Sequence, residues 1–113
     1  MATEKENKER MKNIRSEVKR MFVEKYQRMI NELILEGLSD TDIGHEVGAT
    51  AQSVWQWRNG KVAPQSARAD AISRVHKQVI YLSSKGVAYA EIKAAKKSLE
   101  QAYEEKKVGE RAA

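Results

Sequence analysis

Residues that end helices divide this chain more sharply than any other feature. Gly37, Gly48, the pair Asn59-Gly60 and Gly86 punctuate it, with a single proline, Pro64, in between. Each glycine can take the left-handed backbone that stops a helix. Between these stops, apolar residues recur every three or four positions, the spacing of one helix face. Ile14, Val18, Phe22, Tyr26, Met29, Ile30, Leu33 and Ile34 form the first stripe. Ala71, Ile72, Val75, Val79 and Leu82 form another in residues 66–84, and Ile92, Ala95, Leu99, Ala102 and Tyr103 a last one in residues 88–106. Runs of β-branched residues are few and no alternating strand pattern occurs. The expectation is an all-α fold of about five helices.

The two helices between Gly37 and Gly60 must be short. Ser39 or Asp40 can accept from free amides at the start of the first, where Asp42 suits the positive end of the helix dipole. Ile43 and Val47 lie four apart and share a face. Gly48 then turns the chain, Thr50 is a natural N-cap, and residues 51–58 form the second helix. Two short helices joined by a tight glycine turn make a helix-turn-helix.

The second helix is polar on one side. Val54 and Trp57 are three apart and point inward, with Ala51 able to join them. Gln52, Ser53 and Gln56 occupy the opposite face. Gln can pair bidentately with adenine in the major groove, and Ser is a tolerant contact. Thr50, Asn59 and Lys61 flank the helix, where phosphate contacts commonly lie. Trp55 falls between these positions and solvent. Its ring can fold over a neighbouring helix, or rest on a sugar-phosphate, a thymine methyl or a second subunit. Arg58, Arg68, Arg74 and Lys77 are candidates for neutralising phosphates.

The segment DTDIGHEVGATAQSVWQWRNGK (residues 40–61) resembles the helix-turn-helix of the lambdoid phage repressor and Cro family. The shared pattern is apolar Ile43 and Val47, small Gly44, the turn Gly48, then Thr-x-x-Ser-Val-x-Gln-Trp-x-Asn-Gly-Lys. With flanking helices the resemblance spans residues 22–83. It implies an all-helical domain binding operator DNA as a dimer, with bases read at Ala51, Gln52, Ser53 and Gln56. It also implies backbone contacts at Asp40, Asn59 and Lys61. Three positions depart from the pattern: Ala51 is short, Asp40 is acidic, and Trp57 is bulkier than the usual Leu or Ile.

Charge follows the same division. Residues 29–47 carry five acids and no Lys or Arg, whereas residues 48–97 carry nine Lys/Arg and two acids, within a net charge of +5. Such asymmetry points to a polyanionic partner. Cysteine is absent, which excludes disulfides and thiolate metal sites and suits a cytoplasmic protein. His45 and His76 stand without companion ligands, so no metal or other cofactor is expected. No nucleophile-base arrangement or phosphate-cradling glycine loop occurs, so no enzymatic activity is expected. No apolar run approaches the ~20 residues of a membrane span, and the polar N-terminus has no secretory h-region.

These readings give a flexible tail at residues 1–12, a DNA-binding domain at 13–84 that includes the extended first helix, and a C-terminal packing helix with a frayed end at 85–113. Ile14, Val18, Phe22, Ile92 and Leu99 are the candidate oligomerisation residues. The expected function is that of a transcriptional regulator of phage or mobile-element type, a homodimer on double-stranded DNA. RNA polymerase or another regulatory protein is a further candidate partner. The alternatives are a DNA-recognition subunit of a packaging, replication or recombination oligomer, and an antitoxin-like interaction protein.

Overall fold

A computed structural model of the chain describes residues 3–112. It contains five helices: α1 (Glu4–Leu35), α2 (Asp40–Val47), α3 (Ala51–Arg58), α4 (Ser66–Ser84) and α5 (Tyr89–Ala112). The fold is all-α, as the stripes and stops imply.

The stops work as the glycines suggest. After α1, Gly37 sits at φ 101°, its amide donates to the Ile34 carbonyl at 3.0 Å, and the Leu38 amide reaches the Leu33 carbonyl at 3.1 Å. This pair of hydrogen bonds closes the helix end, and Leu38 and Leu33 are buried beside it. The same pattern ends α3 at Gly60 and α4 at Gly86.

Residues 4–12, read above as a flexible tail, are instead the first turns of α1. Thr3 accepts from the Glu6 amide at 3.2 Å, and the Glu6 carboxylate accepts from the Thr3 amide at 3.1 Å. This reciprocal cap satisfies two donors that a helix start leaves open. Met1, Ala2 and Ala113 of the terminal segments lie outside the described residues.

The core lies where the C-terminal half of α1 meets α2, α3 and α4. Ile30 and Leu33 of α1, Ile43 of α2, Val54 of α3 and Ile72 of α4 are almost wholly buried at its centre. A hydrogen-bonded His76–Glu32 pair adds a polar link between α4 and α1. The helices outside this core project from it. The radius of gyration is 20.0 Å, against ~13 Å for a compact chain of this length.

Among the described residues, the contacts of α5 with the rest of the fold lie at its start. Tyr89 is buried, Ile92 packs against the core, and Lys93 and Lys96 bond Asp42 and Glu46 of α2 at 3.0 and 2.7 Å. The Ser39 amide and then Lys93 hold the Asp42 carboxyl below the usual carboxylate range. Burial first, then the charges of Glu46 and Asp42, pushes the Tyr89 phenol up to about 12. Folding thus favours the neutral phenol. That contribution is complete below pH ~10 and is lost as pH rises through the folded value. A near-UV absorbance titration is expected to show one phenol ionising late, near pH 12, and Tyr89→Phe should abolish that late step. If the late step persists in the variant, α5 is not seated as described.

Candidate nucleic-acid interface

α2 and α3 are fixed to each other from both ends. At the turn, Gly48 has φ 74° and the Ala49 amide donates to the Gly44 carbonyl at 2.8 Å. At the far ends, Arg58 donates from Nε and Nη2 to the two oxygens of Asp40 at 3.0 and 3.1 Å. This fork-to-carboxylate pair spans the first residue of α2 and the last of α3. Its hydrogen bonds push the Arg58 guanidinium pKa further up.

That pairing changes two expectations. Ser39, not Asp40, caps α2, accepting from the Asp42 amide at 3.0 Å, and the Asp40 carboxylate is held by Arg58. Arg58 is engaged by Asp40 rather than standing free for DNA. The pair is separated by 18 residues, and only the turn brings the two together.

The outer face of α3 carries most of the residues expected there. Gln52 is exposed and Gln56 half-buried. Ala51 is exposed rather than joining the inward face of Val54 and Trp57. Thr50 caps α3, accepting from the Ser53 amide at 3.1 Å, and its hydroxyl donates to Ser53 Oγ at 3.0 Å. The Ser53 hydroxyl therefore keeps one proton to donate outward. Asn59 donates from Nδ2 to the Trp55 carbonyl at 2.8 Å, which ties it to the end of α3. Lys61 is exposed just beyond. Trp55 is 43% exposed and Trp57 7%, so two tryptophans two positions apart take opposite roles.

Arg68 reaches this face from the next helix. A Cβ built on Gly48 would lie 3.3 Å from Arg68 Nη1, so the guanidinium crosses the turn. It borders a shallow hollow lined by Thr50, Ser53, Ala63 and Gln65. Arg74 and Lys77 are exposed on α4 on the side turned away from its buried stripe, so the four cations do not form one track. Gln27 of α1, which the sequence did not single out, lies against the end of α3: a Cβ on Gly60 would meet its Oε1 at 3.1 Å.

The charge blocks also interact within the molecule. Arg58, Lys93 and Lys96 of the basic block pair with Asp40, Asp42 and Glu46 of the acidic block. Of the basic block, Lys61 is exposed just past α3 and Arg68 reaches its turn, a smaller resource than the sequence totals suggest. No protein-family model, curated protein or solved structure matches the chain. Among the described residues, no group of three or more His, Cys, Asp or Glu is placed to hold a metal, and no helix is long and apolar enough to cross a membrane.

The terminal stripes divide as well. Ile14, Val18, Met21 and Phe22 are exposed on α1, and Leu99 and Tyr103 on α5. Ile92, grouped with them above, packs instead on its own core, because the start of α5 is held down by Tyr89.

Proposed function

We infer that this chain is a sequence-specific, double-stranded-DNA-binding regulator that places α3 in the major groove and acts as a dimer. The observation that carries the reading is the division of α3. Val54 and Trp57 anchor it in the core, while Ala51, Gln52, Ser53 and Gln56 stand on the outward side. An eight-residue helix capped by Thr50, closed at Gly60 and clamped by Asp40–Arg58 holds those side chains in a fixed frame. A helix presented this way can reach base edges, whereas a mobile one loses affinity to ordering. Binding needs no catalytic step or cofactor. Occlusion of a promoter would give repression, and a contact to polymerase would give activation.

The first test is titration of random-sequence duplex DNA at several salt concentrations. The protein is expected to bind, with affinity falling steeply as salt rises. Lys61→Ala and Arg68→Ala should each reduce the log–log slope by about one. Absence of duplex binding at low salt would overturn the reading. On a cognate site, Gln52→Ala and Gln56→Ala are each expected to weaken binding by ~1–3 kcal/mol while barely changing non-specific affinity. Equal losses on cognate and random duplexes would remove the base-reading role.

A further inference from the structure

The two arms that leave the core carry complementary faces. The free part of α1, residues 4–22, is ~28 Å long, and α5 beyond Ile92 is ~30 Å long. Met11, Ile14, Val18, Met21 and Phe22 give α1 an exposed apolar face, and Leu99 and Tyr103 give α5 one. These faces do not cover each other within one chain, since Ile14 remains 46% and Leu99 69% exposed.

Charge selects the pairing. At ~100° per residue, Lys8, Arg15 and Lys19 follow one side of the α1 stripe. Glu100 and Glu104 follow the same rotational side of the α5 stripe, with Lys107 on that side beyond them. Lys93 and Lys96 share that side nearer the core, but they are held by Asp42 and Glu46. When two helices pack antiparallel, the same rotational sides meet. α1 against α5 therefore brings bases to acids, Arg15 to Glu104 and Lys19 to Glu100, with Lys107 falling toward the first turns of α1. α1 against a second α1 does not: antiparallel pairing sets Lys8, Arg15 and Lys19 against one another, and parallel pairing puts Arg10 beside Arg15.

We propose that α1 of one copy packs antiparallel on α5 of a second copy, Ile14 and Val18 facing Leu99 and Tyr103, and that a two-fold pair makes this contact twice. This deepens the dimer part of the function inferred above and requires no DNA. Strips ~28 Å long and ~10 Å wide on four helix faces amount to about 1,100 Å², enough for a specific interface. The contact is the same patch on both copies, so it closes rather than propagating.

The chain has no cysteine, which makes the test direct. Ile14→Cys and Leu99→Cys are prepared singly; both sites are exposed, and circular dichroism checks the fold. Each variant alone, and their mixture, is treated with a short bismaleimide in the absence of DNA. The mixture is expected to yield mainly the mixed product. Efficient crosslinking of Ile14→Cys with itself, or none in the mixture, would overturn the pairing. As a second readout, Arg15→Glu or Glu104→Arg alone should raise the dimer dissociation constant about tenfold, and the two together should restore it. A dimer indifferent to both reversals would place the interface elsewhere, and would leave the reading of α3 as the DNA-contacting helix standing.

Discussion

Truncating Trp57 to alanine is expected to destabilise the fold by about 3–5 kcal/mol, a drop in melting temperature of ~15–30 °C. The indole is 7% exposed and belongs to the same core cluster as Val54, Ile30 and Ile72. α3 has only eight residues, too few to persist without tertiary packing. Removing its larger anchor leaves Val54 as its one buried apolar anchor. Trp55→Ala provides the contrast. That ring is 43% exposed, so its loss should cost less than about 1 kcal/mol of stability. Urea unfolding of both variants separates the two roles, and similar losses for both would contradict the orientation of α3.

Gly44→Ala is expected to destabilise by about 1–3 kcal/mol, although the same change in a helix interior ordinarily stabilises by up to ~1 kcal/mol. The sign is decided by one contact. A Cβ on Gly44 would lie 2.5 Å from the Ala49 carbonyl oxygen, a backbone atom that cannot swing away. That carbonyl belongs to the turn that sets α3 on α2, so relief requires moving α3. Gly109 is the internal control, a helical glycine whose Cβ would meet nothing within 4 Å. Gly109→Ala should be neutral or slightly stabilising. Thermal denaturation of the pair measures the difference, and a stabilised Gly44→Ala would show that α2 and α3 are not packed this closely.

Features set by neighbours in the chain were legible in the sequence. Ser39, Thr50, Gly48 and Gly60 act within four residues of themselves, so their capping and turning roles follow from residue type alone. The Val54–Trp57 spacing likewise fixes which side of α3 is inward. The Thr3–Glu6 cap had the same kind of signal, a Thr three residues before a Glu, but the polar composition around it read as a tail. Composition is a weak guide there, since a capped helix needs no apolar face in its first turns.

What the sequence did not show were contacts across the fold. Asp40 and Arg58 read separately as a cap and a phosphate contact, because nothing local predicts a fork across 18 residues. The acidic and basic blocks read as a polyanion signature, whereas α5 brings Lys93 and Lys96 back onto α2. Exposed or half-exposed pairs of this sort each contribute little stability. Their effect is to tie α5 to α2 and to neutralise part of the basic block within the molecule. Ile92 was misplaced for a similar reason: its stripe looked continuous, but Tyr89 pins only its first turn to the core.

The central claim is that the outward side of α3 reads base edges. Selection of bound duplexes from a random library, at physiological salt with the intact chain, tests it most directly. The expected result is a consensus of two half-sites about one helical turn (~34 Å) apart, which degrades at defined positions when Gln52→Ala or Gln56→Ala replaces the native protein. Recovery of no consensus, or of one that neither variant alters, would contradict it.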